Sequence, residues 1–141
     1  MVFIFDENIP RNIVTALSML DEGGLAEHEI HSVYDLDFNG LKDVELFPKI
    51  RERFGDAKCV FISGDRMILK RKPEIEGLKN SGLISFICAP SSCGKTLYER
   101  AVYVLNAWKS IVYLSERARR CVVYKIPASS SNITPAAFMP A

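Results

Sequence analysis

The sequence predicts an α/β domain, a three-layer α/β/α sandwich around a mainly parallel sheet of four or five strands. Two observations lead to this prediction. Short apolar runs typical of buried strands alternate along the chain with longer segments whose apolar residues recur at helical spacing. The chain is also 141 residues long, 48% hydrophobic and 25% charged, as expected for one globular domain. Alternating strands and helices favour parallel strands with crossover helices on both faces.

Five segments have the character of strands. The first, Val2–Phe5, is apolar throughout and therefore typical of a strand buried on both faces. The third, KCVFISG, has the same character and ends, like the first, at an acid. The predicted strands cover residues 2–5, 29–34, 58–64, 83–89 and 121–126.

Four helices are predicted between these strands. We expect Asn8 to be the N-cap of the first helix and Pro10 to lie in its first turn. Gly82 is expected to end the third helix. The Ala-, Ser- and Pro-rich segment 127–141 is expected to be a disordered tail after a domain of residues 1–126. The predicted helices cover residues 9–20, 42–54, 74–81 and 95–119.

Cysteine content and hydropathy indicate a cytoplasmic protein. None of the four cysteines forms a CxxC pair, and three lie within apolar runs, as reduced buried thiols do. No run approaches the ~20 apolar residues of a membrane span. The first residues lack a basic region followed by a long apolar run, so neither a signal peptide nor membrane association is expected.

Charge is distributed unevenly although the net charge is only +1. Through Asp65 the chain has 13 acids and six bases, and from Arg66 onward it has four acids and 12 bases. This asymmetry is compatible with an acidic cleft beside a rim that binds a polyanion, and equally with ordinary solvated surface.

Three acids are expected at one edge of the sheet. Asp6 and Asp65 directly follow the first and third strands, and Asp43 lies near the start of the helix after the second. Because parallel strands end at the same edge, these carboxylates should converge there, with Glu7 and Glu45 in reserve. Clustered carboxylates repel one another unless a cation neutralises them, and oxygen ligands suit Mg²⁺ or Mn²⁺.

These segments resemble the PIN-domain nucleases. The similarity is carried by FIFDENIP, LKDVEL, VFISGDR, RMILKRKPEIEGLKNSGLISFI and YERAVYVLNAWKSIV, over roughly residues 2 to 126. Within that family the chain is most similar to the VapC-type toxins of bacterial and archaeal toxin–antitoxin systems. The resemblance implies hydrolysis of RNA phosphodiester bonds with Mg²⁺ or Mn²⁺.

The resemblance also implies roles for particular residues. Asp6, Asp43 and Asp65 match the metal-binding acids of the family. Many PIN domains have a further acid after the third, where this chain reads Arg66-Met67-Ile68. A missing fourth acid leaves open whether one metal or two would bind. The expected partners are RNA, a cognate antitoxin that inserts a segment into the acidic cleft, and a second copy of the chain.

A basic loop follows the third strand and is expected to hold the phosphates of the RNA. The alternative is that it is simply a solvated loop. Its residues are Arg66, Lys70, Arg71 and Lys72.

Two other functions compete with the nuclease. Ala89–Thr96 fits a relaxed phosphate-binding loop between a strand and a helix, although it has Ala in place of the first glycine and Pro90 within the loop. A nucleotide-binding protein is therefore the first competitor. The second is a catalytically weak or inactive PIN-like scaffold that acts through protein or RNA contacts.

Overall fold

The computed structural model describes residues 1–21, 28–89, 96–118 and 121–136. Its strands are β1 Val2–Phe5, β2 Glu29–Ser32, β3 Cys59–Ser63, β4 Ile84–Ile87, β5 Val123–Lys125 and β6 Thr134–Pro135. Its helices are α1 Arg11–Asp21, α2 Asp43–Phe54, α3 Lys72–Ser81 and α4 Leu97–Arg117, with a short 3-10 helix at Arg66–Leu69.

The strands form one sheet in the order β2-β1-β3-β4-β5-β6. The pairs from β2 through β5 are parallel, and β6 pairs with β5 in the antiparallel direction. The prediction of a mainly parallel α/β sandwich is confirmed, with five parallel strands and one additional two-residue strand. In this strand order the chain reverses its direction of winding between β1 and β3, and ligands bind α/β sheets outside such a switch point.

The side chains of β1 divide the core into two layers. Phe3 and Phe5 pack with the buried face of α1 and with Trp108 of α4, whereas Val2 and Ile4 pack against α2 and α3. Each of the four is at most 6% exposed, which explains why the strand is apolar throughout. The ring of Trp108 contacts Phe3 edge to face, with centroids 4.7 Å apart, so Trp108 is a core residue.

The segment after β5 corrects the expected disordered tail. Residues 127–136 are described, and Lys125 of β5 pairs with Thr134 of β6. Ala136 is 3% exposed, and its N–H donates to the Val123 carbonyl at 2.7 Å. The expectation is therefore wrong for residues 127–136, and residues 137–141 lie outside the described residues.

The start of α1 corrects a second expectation. The helix begins at Arg11, and the carbonyl of Pro10 accepts its first hydrogen bonds, from Ile13 and Val14. Pro10 therefore precedes the helix rather than lying in its first turn. Asn8, predicted as the N-cap, turns its side chain towards the end of β3 instead.

The ends of α3 and α4 follow familiar capping rules. Gly82 has φ +70° after α3, as predicted for the residue that ends that helix. Thr96 caps α4 in a capping box with Glu99. The remainder of the proposed nucleotide-binding loop, residues 90–95, lies outside the described residues. None of the described helices is both long and apolar enough to cross a membrane.

Candidate functional site

An acidic cleft of about 760 Å³ opens at the carboxyl end of β1 and β3, at the switch point of the sheet. Its lining carries carboxylates from four separate segments: the turn after β1, the start of α2, the N-cap of the 3-10 helix after β3 and the first turn of α3. The convergence follows from the topology, because strands end and the following helices begin at this edge. The acids that line the cleft are Asp6, Glu7, Asp43, Asp65 and Glu74.

Asp6 is the most buried of these acids, at 8% exposure. Its Oδ1 accepts from the N–H of Glu7 at 2.8 Å, and its Oδ2 accepts from the hydroxyl of Ser63 at 2.9 Å. Burial raises the pKa of Asp6 above its usual value, and these two hydrogen bonds partly oppose that rise. Asp6 is therefore a buried carboxyl group whose two oxygens are both held in place by hydrogen bonds.

Asp65 is fixed by its position at the start of the 3-10 helix. It is the N-cap, and its Oδ1 accepts from the N–H of Met67 at 2.9 Å. Its own N–H donates to the Ser63 hydroxyl at 3.1 Å. Ser63 is fully buried. Its one hydroxyl contacts both the side chain of Asp6 and the main chain of Asp65.

Asn8 joins the two loops that carry these acids. Its Oδ1 accepts from the N–H of Gly64 at 2.9 Å, and its Nδ2 donates to Ser63 Oγ at 3.4 Å. Sequence reasoning missed this role, because a helix cap is the usual function of an Asn before a helix. Two features of the sequence could have indicated it. Asn8 follows the first strand, and Gly64 ends the apolar run of the third, so both lie at the same edge of the sheet.

Asp43 is the first residue of α2 and is half-buried in the cleft. Burial raises its pKa most, and repulsion from Asp6, Asp65 and Glu74 raises it further, to about 7. The positive charge of Arg71 acts in the opposite direction. The three acids predicted from the sequence thus lie close enough to repel one another.

Glu74 is an acid of the cleft that sequence reasoning missed. It lies in the first turn of α3, directly after Pro73, and its side chain is only 15% exposed. Its charge raises the pKa of Asp43. The start of a helix that follows a parallel strand faces this edge, so the argument that found Asp43 also applies to Glu74. Besides the three predicted acids, a further acid of the region after Asp65 therefore lines the cleft, although it does not come directly after Asp65 in the sequence.

The two reserve acids differ in position. Glu7 is exposed at the cleft, where its carboxylate accepts from the N–H of Gly40 at 2.9 Å. Glu45 is exposed in the first turn of α2 and is not part of the cleft lining among the described residues. Of the two, only Glu7 adds to the negative charge of the cleft lining.

The comparison with known families matches this arrangement. A family model described as a PIN-like domain matches residues 1–90, a range that includes every acid of the cleft. The chain belongs to the PIN-like domain family. Proteins of this family are generally nucleases. Searches among curated proteins and among solved structures found no match to this chain.

The basic residues of this PIN-like domain occupy different environments. Arg71 lines the cleft and forms an ion pair with Glu74, with Nη1 and Oε1 3.3 Å apart. Lys70 and Lys72, its neighbours in sequence, are exposed. Arg66 is half-buried, and its guanidinium donates to two main-chain carbonyls, those of Cys88 and Ile126, both at 3.2 Å. Arg66 therefore joins the ends of β4 and β5.

The acids of the PIN-like domain supply only oxygen ligands at a partly hydrated cleft, the donor chemistry that Mg²⁺ and Mn²⁺ prefer. Among the described residues, no group of three or more Asp, Glu, His or Cys side chains is arranged so that it could hold a metal ion. The donor chemistry nevertheless suits a divalent ion that retains several of its waters and is held by one or two carboxylates, as Mg²⁺ usually is.

Proposed function

We propose that this PIN-like protein is a divalent-metal-dependent endoribonuclease. The observation that carries the proposal is the convergence of Asp6, Asp43, Asp65 and Glu74 on one cleft, where the pKa of Asp43 reaches about 7. Carboxylates that repel one another lower the stability of the folded protein, so such a cluster indicates a functional site. Neutralisation by a divalent cation relieves the repulsion and explains why the acids are brought together.

The chain's own residues would divide the work of hydrolysis between them. Asp6, Asp43 and Asp65 would hold Mg²⁺ or Mn²⁺, with Glu74 as the fourth carboxylate. The bound ion would polarise the phosphoryl oxygen and lower the pKa of a bound water. Arg71 and Lys42, which line the cleft, would hold the RNA backbone next to the scissile phosphate. Lys70 and Lys72 would extend this basic rim outside the cleft.

We further propose that the protein is the toxin of a toxin–antitoxin pair in the cytoplasm. The similarity to VapC-type toxins over residues 2–126 supports this role. An antitoxin segment bearing an Arg or Lys would be complementary to the acidic cleft, and the Arg71–Glu74 pair is an example of a guanidinium bound to one of its acids. A homodimer would use the exposed apolar residues of α4, which include Tyr98, Val102 and Leu105.

The test compares wild type with Asp65→Asn, which keeps the side-chain oxygen that caps the 3-10 helix and removes only the charge. Wild type should gain thermal stability with Mn²⁺ and cleave single-stranded RNA but not DNA of the same sequence. Asp65→Asn should lose both the Mn²⁺ effect and cleavage. Its induced expression in bacteria should also fail to arrest growth, unlike that of wild type. Thr15→Ala, on the exposed side of α1, is the control.

Other outcomes of the same experiment separate the alternatives. Wild type that shows neither a Mn²⁺ effect nor cleavage is not a metal-dependent nuclease. Mn²⁺ and RNA binding without cleavage would identify a PIN-like scaffold instead. Cleavage without growth arrest would contradict the toxin role while leaving the nuclease in place.

A further inference from the structure

The hydroxyl of Ser63 has three polar neighbours and only one proton. It donates to Asp6 Oδ2 at 2.9 Å, and it accepts from the N–H of Asp65 at 3.1 Å and from Nδ2 of Asn8 at 3.4 Å. A hydroxyl offers one donor and two acceptor lone pairs. The two N–H groups occupy the acceptor positions, which leaves the proton to Asp6, a carboxylate that can only accept.

The orientation of Asn8 is determined by its other contacts. Its Oδ1 accepts from the N–H of Gly64 at 2.9 Å, so the opposite end of the amide, the NH₂ donor, faces Ser63. Its main-chain carbonyl accepts from Nη2 of Arg100 in α4 at 2.5 Å. Asn8 is thus attached to the end of β3 on one side and to α4 on the other.

We propose that Asn8 is a positioning residue of the acidic cleft, which directs the Ser63 hydroxyl onto Asp6 and holds Asp6 and Asp65 at a fixed separation. The inference rests on the proposed function, because its measurable consequence is the affinity of the cleft for a divalent ion. Groups that orient metal-binding carboxylates in this way typically change metal affinity 10- to 100-fold when they are removed.

A purely structural role for Asn8 predicts a different result. In that case its loss lowers stability, because the N–H of Gly64 loses its partner, and the affinity for metal in the folded protein stays the same. The two roles are separated by measuring Mn²⁺ binding by calorimetry and unfolding by urea on the same variants, without RNA.

The experiment compares Asn8→Ala, Ser63→Ala, the double variant and Ser63→Thr. We expect each single Ala variant to bind Mn²⁺ about 10-fold more weakly. The double variant should bind no more weakly than Ser63→Ala, because both residues act through one hydroxyl. Ser63→Thr should remain close to wild type because it keeps that hydroxyl, and Asn12→Ala, on the exposed surface of α1, should be unchanged.

Several results would overturn the inference. Unchanged Mn²⁺ affinity in Asn8→Ala, with lower stability, would identify a structural residue only. Additive losses in the double variant would mean that Asn8 does not act through Ser63. If Asn8→Ala does not fold, Asn8→Ser replaces it, with the same expectation. Absence of Mn²⁺ binding by wild type would overturn the proposed function as well, so the two failures are distinguishable.

Discussion

Asp6 and Asp65 follow the ends of two neighbouring parallel strands, and both bind the same buried hydroxyl, that of Ser63. Their positions are set by the β1–β3 register and by hydrogen bonds shorter than 3.2 Å. Asp43 belongs to a helix, and its link to these two acids is electrostatic repulsion. The pKa of Asp43 is about 7, so its charge changes near neutral pH.

The pKa of Asp43 leads to a prediction about stability without metal. It is about 7 in the folded protein and near 3.8 when unfolded, so the folded state binds more protons between these values. The free energy of unfolding should therefore fall as pH rises from about 4 to 7. Asp43→Asn should reduce this fall. It should not abolish it, because the pKa of Asp6 is raised as well.

The measurement is urea denaturation in EDTA at pH 4.5 and 7.5. Asp37→Asn, at an exposed position in the turn after β2, is the matched control and should behave like wild type. Saturating Mn²⁺ should restore stability at pH 7.5 in wild type. Equal pH dependence in wild type and Asp43→Asn would contradict the raised pKa.

Glu74 provides a prediction about the fourth acid. Glu74→Gln should weaken Mn²⁺ binding several-fold, because it removes a negative charge from the cleft, and it should lower the pKa of Asp43 by removing a source of repulsion. Calorimetry with Mn²⁺ measures the first effect. Glu76→Gln is the control, since Glu76 lies on the same helix but lines a different groove. Equal affinities in the two variants would exclude Glu74 from the metal site.

Arg66 and Arg71 are expected to differ although both belong to the basic loop. Arg66→Ala should lower the free energy of unfolding by about 1–3 kcal/mol, because two main-chain carbonyls lose a charged donor. Arg71→Ala should leave stability nearly unchanged, because its pair with Glu74 is partly exposed and such pairs contribute about 0–1 kcal/mol.

RNA binding should rank the two arginines in the opposite order. Arg71→Ala should weaken binding of a labelled RNA in EDTA and reduce the slope of log affinity against log salt by about one. Fluorescence anisotropy over a salt series measures both. Lys49→Ala, an exposed lysine of α2 outside the cleft, controls for loss of any positive charge. A larger loss for Arg66→Ala would reverse our assignment.

The predicted acids that line the cleft are those that follow a long apolar run or begin a clearly amphipathic helix. Val2–Phe5 and the apolar run before Asp65 leave little doubt about where a buried strand ends, and topology then places the acids at one edge. Glu74 was not predicted, because it follows Arg71 and Lys72 in a segment whose net charge is positive, and the charge pattern does not show that the start of α3 faces the cleft. The role of Asn8 was not predicted, because the sequence suggests a cap of the nearby helix and does not show a hydrogen bond to Ser63, 55 positions away.

The segment after β5 shows where composition misleads. Ala, Ser and Pro are typical of disordered tails, and a two-residue strand has too few residues to show alternation. The segment is held by its pairing with β5 and by the small side chain of Ala136, which belongs to the same buried cluster as Val123. Such a contact depends on the tertiary structure and leaves no periodic signal in the sequence.

This contact can be tested with two substitutions on the same short segment. Ala136→Glu would bury a charge without a partner and should lower the free energy of unfolding by about 3 kcal/mol or more. Thr134 is exposed on β6, so Thr134→Glu should change the free energy of unfolding by no more than about 0.5 kcal/mol. Urea denaturation measures both. If the segment were a disordered tail, the two variants would be equally stable, because neither side chain would enter the core.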